Sequence, residues 1–265
     1  GIVIVAIAGR GLIASQDAGI SWEMLNEIPD ISGVYIPPSF PAESFLAATT
    51  TGSQVMISTD NGKTFATSAA GLPESMRTVR GVAFSQNFAQ DRKMFCFGSG
   101  GVFMSQDAGA TWDALAVPEA NVSITSMAVA GDFVEYGSIA YGTDEAEVYL
   151  SDDMGATFES IESETLLEYE VETLAFAPDY RQSQDLFISS RDGIFRYGPT
   201  RQDQTAATAE AAAQGVEATR SAKATNAAGY HFVPKDPEHV ETGCIAYYIV
   251  PLGLLVHFTQ KKKRK

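Results

Sequence analysis

Cysteine is nearly absent. Cys96 and Cys244 are the two in 265 residues, which excludes a disulfide framework and a cysteine-based metal constellation. Histidine is almost as scarce, and His231, His239 and His257 show no paired ligand spacing, so no metal site is expected. Positive charge is short in the body of the chain. Residues 1–200 carry 9 Lys+Arg against 27 Asp+Glu, and such a body lacks the basic footprint that displaces counterions from a phosphate backbone. Nucleic acid is therefore not an expected partner, and no cofactor is implied. Sustained helical periodicity is missing before residue 200. The chain opens on Gly1 with neither an initiator Met nor a basic-then-apolar leader, so a removed signal peptide is the expectation.

What is present is repetition. Four segments match: SQDAGISW (15–22), STDNGKTF (58–65), SQDAGATW (105–112) and SDDMGATF (151–158). Their aspartates, Asp17, Asp60, Asp107 and Asp153, are spaced by 43, 47 and 46 residues. A period near 45 suits one four-stranded propeller blade. A second element repeats before the boxes, where GVAFSQNFAQDRKMFCFGSGGVFMS (81–105) aligns with TLAFAPDYRQSQDLFISSRDGIFRY (173–197). Short apolar runs between Gly, Asp and Ser read as strands. The opening IVIVAIAGRGLIASQDAGISW supplies the second, third and fourth strands of a blade without its first. The pattern stops after DLFISSRDGIFRYG with no fifth box. The expectation is three complete blades and two partial ones, all-β, with about 4–5 blades visible.

Each box position has a mechanical task at a hairpin turn. The aspartates can accept hydrogen bonds from their own turn's backbone N–H groups. Gly19, Gly62, Gly109 and Gly155 supply positive φ without a Cβ penalty. Ser15, Ser58, Ser105 and Ser151 open the boxes. Trp22, Phe65, Trp112 and Phe158 close them with large apolar surfaces, each worth ~2–3 kcal/mol if buried. Carboxylates recurring once per blade suit turn hardware better than paired acid/base groups or calcium ligands.

These boxes resemble those of the Asp-box, or BNR-repeat, propellers, a group that includes sialidases, sortilin-type receptors and photosystem II stability/assembly factors. The resemblance spans about residues 1–198 and implies the propeller fold, but the family mixes enzymes with interaction proteins. A sialidase-like site implies three arginines gripping a carboxylate, a Tyr nucleophile with a Glu partner, and an Asp acid/base. Here the Phe-Arg-Ile-Pro element of that group is absent. Arg10 sits in a tight AGRGL turn, and Phe195-Arg196-Tyr197 falls at the wrong end of the array. A non-catalytic protein is the expectation. Glu159–Glu172 places six Glu in 14 residues, a candidate docking face whose simpler reading is plain solvation.

After the propeller region (1–200) the composition changes. Residues 201–229 form an Ala/Thr-rich linker, and 230–243 an extended, Pro-containing juxtamembrane segment. Residues 244–260 hold an apolar run that includes Cys244, Tyr247, Tyr248, Pro251, Leu254 and Phe258. The last five residues, Lys261, Lys262, Lys263, Arg264 and Lys265, are all basic. The run is near the short end of a membrane span and Pro251 would kink it. A single transmembrane helix with a stop-transfer tail is the leading reading; a buried strand or helix and a nuclear-localisation run are the rivals. By the positive-inside rule the tail lies on the cytoplasmic, stromal or matrix side and the propeller opposite. Expected partners are the lipid bilayer and the subunits of a membrane protein complex, which the chain would serve as accessory subunit or assembly factor. A glycan-binding or sialidase-like surface protein is the alternative.

Overall fold

A computed structural model describes residues 2–199 apart from 75, 119–121, 132, 162–168 and 192, together with the backbone of 231–233, 248–250 and 253–255. The chain divides into two compact units, residues 1–115 with 236–265, and residues 116–235.

In the first unit the chain builds three antiparallel sheets in sequence order. The first contains β1 (Val3–Ile7), β2 (Gly11–Ser15) and β3 (Glu23–Asn26). The second contains β4 (Ile31–Tyr35), β5 (Leu46–Thr50), β6 (Val55–Ser58) and β7 (Ala66–Ser68). The third contains β8 (Val79–Phe84), β9 (Met94–Gly98), β10 (Gly101–Ser105) and β11 (Asp113–Ala114). The second unit holds a fourth sheet of β12 (Ile124–Val129), β13 (Ile139–Thr143), β14 (Val148–Ser151) and β15 (Glu159–Ser160). Its fifth sheet is β16 (Thr173–Phe176), β17 (Leu186–Ser190), β18 (Gly193–Tyr197) and β19 (His231–Val233). Among the described residues every pairing is a meander step between chain neighbours, a low-cost way to satisfy backbone groups in short strands. The three-stranded first sheet follows the sequence reading. The fifth sheet differs from it, because a strand from the segment read as juxtamembrane pairs with β18 and gives the sheet four strands.

Single helical turns link the first two strands of the last three sheets: α1 (Phe88–Asp91), α2 (Phe133–Tyr136) and α3 (Tyr180–Ser183). Each opens with an aromatic ring that is buried beneath it, Phe88, Phe133 and Tyr180. This is the physical content of the second sequence repeat.

Alternation along the strands divides each sheet into an upstream and a downstream face. The downstream side chains Ile4, Leu12 and Ala14 of the first sheet pack with Leu46, Ala48, Met56 and Phe65 on the upstream face of the second. Ala47, Val55 and Ile57 repeat the arrangement against Met94, Cys96, Phe103 and Trp112 of the third. In the second unit Ala140, Val148 and Leu150 of the fourth sheet meet Leu186, Ile188 and Phe195 of the fifth. Each joint is an apolar layer closed between two sheets.

Of the segment 244–260, the described residues lie in two short strands. β20 (Tyr248–Val250) and β21 (Gly253–Leu255) pair as an antiparallel hairpin, with Tyr248 opposite Leu255 and Leu254 opposite Ile249. Pro251 biases Val250 away from helical backbone, and β-branched Ile249 and Val250 favour strand. β21 lies alongside β1 within the first unit. Cys244, Tyr247, Pro251, Phe258, Lys261, Lys262 and Lys263 lie outside the described residues, as does the linker 201–229. Among the described residues no helix is long and apolar enough to cross a membrane.

Candidate functional site

The four boxes are the repeated concentration of polar groups, and they share one geometry. In the first, the Ser15 hydroxyl donates to Asp17 Oδ1 at 2.8 Å and accepts the Gly19 N–H at 2.7 Å. Asp17 Oδ1 also accepts the Ser21 N–H at 2.8 Å, and its Oδ2 takes the Ser21 hydroxyl at 2.6 Å. Ser58–Asp60–Gly62–Thr64 repeats this pattern. So do Ser105–Asp107–Gly109–Thr111 and Ser151–Asp153–Gly155–Thr157. Each carboxylate thus accepts three hydrogen bonds inside its own turn.

That engagement sets the electrostatics. Asp17 is lowered from 3.8 to about 2, chiefly by the Ser21 hydroxyl and then by the Ser21 N–H. Asp60 is lowered to about 2 by the Thr64 hydroxyl and N–H. Asp107 and Asp153 shift in the same direction through Thr111 and Thr157. Hydrogen bonds to the ionised form hold it ionised. A carboxylate kept charged and committed to its own loop is poorly suited to carry a proton near neutral pH. Among the described residues no group of three or more His, Cys, Asp or Glu is placed to hold a metal ion.

Sequence reading missed two parts of the turn. The serine hydroxyl is a second hub, linking the aspartate to the glycine N–H; its recurrence at the head of all four boxes was the available signal. The residue before each glycine is also left-handed, with φ of 61° at Ala18, 63° at Asn61, 58° at Ala108 and 63° at Met154. Asn tolerates this conformation, whereas Ala and Met pay for it. In three sheets the same residue donates its N–H to the preceding loop: Asn61 to the Ser44 carbonyl, Ala108 to Arg92 and Met154 to Gly137. The box is thereby latched to the connection between the first two strands.

The box aromatics have different fates. Trp112 is 2% exposed and its indole N–H donates to Ser68 Oγ at 2.9 Å. Phe65 and Phe158 are half-buried. Trp22 is 44% exposed, beside Ile20 and Met24, and its indole N–H turns back on Gly19 O at 3.1 Å.

Among the described residues, three arginines pair with three separate carboxylates. Arg92 makes a bidentate pair with Glu43 at 2.9 and 3.1 Å. Arg196 pairs with Asp185 at 2.6 Å. Arg181 reaches Glu135 and lies over the Tyr136 ring. Of the acidic stretch 159–172, residues 162–168 lie outside the described residues, and Glu159–Ser160 forms β15.

No protein-family model matches the chain, and no curated protein matches it. Solved structures do. A GH74 xyloglucanase from Xanthomonas campestris superposes with a TM-score of 0.58 at 14% identity, covering 76% of this chain and 35% of that one. A GH74 enzyme from Niastella koreensis gives 0.59 at 16% identity, covering 74% and 34%. YCF48 from Cyanidioschyzon merolae gives 0.55 at 14% identity, covering 72% and 64%. This chain therefore spans about a third of the length of these GH74 structures and less than two thirds of YCF48. The shared feature is the fold: the chain is built as a β-propeller of antiparallel sheets, in company with both enzymes and non-enzymatic propellers.

Proposed function

We propose that the chain is a non-catalytic interaction propeller of the Asp-box class. It acts as an accessory subunit or assembly factor of a membrane protein complex, photosynthetic or respiratory. The observation that carries this reading is the commitment of all four box carboxylates to their own turns, which leaves the repeated acids as structural parts. Likeness to YCF48 supports a propeller of this construction without catalysis. The apolar segment 244–260 and the basic tail support attachment at a bilayer, with the acidic body on the opposite side from the tail. An acidic surface suits electrostatically guided docking on basic protein loops.

The test is affinity purification of the full chain from detergent-solubilised membranes, with partners identified by mass spectrometry. Stoichiometric membrane subunits are expected; recovery without any other protein in the membrane fraction overturns the reading. The GH74 likeness supports a second reading, a glycan-binding or glycoside-hydrolase protein at a cell surface. Turnover of xyloglucan or a sialoside by the purified chain would favour it.

A further inference from the structure

The second box carries a reactive pair that the other three lack. Asn61–Gly62 is the one Asn-Gly step among the five asparagines of the chain. Ala18, Ala108 and Met154 hold the place of Asn61 in the other boxes. All four have left-handed backbone, which Asn bears at the least cost. The same choice sets a side-chain amide beside a glycine N–H that no Cβ shields.

The chemistry open to this pair needs only water. The Gly62 nitrogen attacks the Asn61 side-chain carbonyl carbon, closing a succinimide ring and expelling the amide nitrogen as ammonia. Water then opens the ring at one carbonyl or the other, leaving aspartate or isoaspartate. This route underlies the thermal lability of asparagine. Isoaspartate carries the backbone through the former side chain and so lengthens it by one carbon.

The closed turn ties down both reactants. The Gly62 N–H donates to Ser58 Oγ at 2.9 Å, and the Gly62 carbonyl accepts Asn26 Nδ2 from the first sheet. A Cβ at Gly62 would meet Leu46 at 2.8 Å, so this buried peptide has little room to turn. Asn61 Nδ2 donates to Ser44 Oγ at 3.1 Å, and its backbone N–H to Ser44 O at 3.0 Å. A nitrogen committed to the serine hydroxyl is free neither to lose its proton nor to swing toward the amide. Asn61 is exposed, so water reaches it.

We propose that Asn61–Gly62 is a modification site gated by the second box. It stays an amide while the turn is closed and converts to aspartate or isoaspartate when the turn opens. The isoaspartate form cannot rebuild the turn, because the added backbone atom moves Gly62 away from Ser58, whose hydroxyl also serves Asp60. Conversion thus makes the opening of this one hairpin irreversible.

The test is tryptic mapping of the full chain in detergent during incubation at mildly alkaline pH, with aspartate and isoaspartate forms of the 11–63 peptide separated by chromatography. A synthetic peptide of residues 55–68 sets the rate of an open turn. The wild type is expected to convert at least about tenfold more slowly than that peptide. Ser58→Ala, which frees the Gly62 N–H, should recover most of this difference. Ser44→Ala, which frees the Asn61 amide and leaves the box intact, should accelerate conversion by a smaller factor. Ser105→Ala makes the Ser58 change in the third box and should leave the Asn61 rate unchanged. Chains enriched in isoaspartate should melt below Asn61→Asp, which adds the charge without lengthening the backbone. Wild-type conversion as fast as the peptide overturns the proposal, and so do Ser58→Ala and Ser44→Ala rates equal to wild type. Equal acceleration by Ser105→Ala overturns it by assigning the chemistry to global unfolding. An isoaspartate form that melts with Asn61→Asp overturns the irreversibility.

Discussion

Trp112 and Ser68 are hydrogen-bonded from one sheet to the next: the indole N–H donates to the serine hydroxyl at 2.9 Å, and that hydroxyl donates onward to the Gly109 carbonyl. The Trp112 backbone N–H separately donates to Ala70 O at 2.9 Å. One residue thus closes its own box, fills the interlayer space and satisfies a buried polar group on its neighbour. Trp112→Ala is expected to cost about 3–5 kcal/mol, through the cavity and the stranded serine. Trp112→Phe keeps most of the volume and should cost less. Urea unfolding of both variants measures the difference. The corresponding Trp22→Phe change, at an exposed site, should shift the midpoint little.

Gly71 and Gly9 separate strain from crowding. Both have positive φ, 93° and 75°. A Cβ on Gly71 would sit 2.0 Å from Trp112 O, whereas one on Gly9 meets nothing within 4 Å. Gly9→Ala should therefore cost only the left-handed backbone penalty, about 1–2 kcal/mol. Gly71→Ala adds a backbone clash and should be the more damaging of the two in thermal melts.

Stability should fall in acid. The folded pKa values of Asp17 and Asp60 lie near 2, below their ordinary 3.8. A depressed carboxylate contributes stability above its unfolded pKa, and that contribution disappears as pH drops through the folded value. The urea midpoint is expected to hold from neutral pH down to about 5 and to decline toward about 2. Asp60→Asn should flatten part of that slope, and an unchanged slope would count against the turn hydrogen bonds.

Cys96 lies on the covered upstream face of the third sheet, 0% exposed, and burial pushes its thiol pKa upward. In a Cys244→Ser background it should resist a thiol reagent in native buffer and react fully in denaturant. Fast native labelling would mean the second and third sheets separate readily.

The hairpin chemistry was legible in the sequence because Ser, Asp, Gly and Thr act on backbone groups no more than four residues away. Period and blade order followed from the same local signals. Left-handed Ala108 and Met154 were not legible, since their strain is offset by carbonyls of Arg92 and Gly137 in a loop that only the fold brings near. Trp22 and Trp112 close nearly identical boxes, and the burial of Trp112 comes from the second sheet packed against it, which the local sequence does not show. At the C-terminus apolar length suggested a helix, and the described residues of that segment, β20 and β21, are strands.

The origin of β19 bears on when the protein can finish folding. In the first four sheets the last strand starts within nine residues of the one before it, on the far side of a box. In the fifth it starts at His231, 34 residues after Tyr197 ends β18. At about 5–20 residues per second of synthesis, that interval leaves the β18 edge unpaired for roughly two to seven seconds on a nascent chain. The last blade is thus the one exposed longest to a chaperone or to a neighbouring nascent copy.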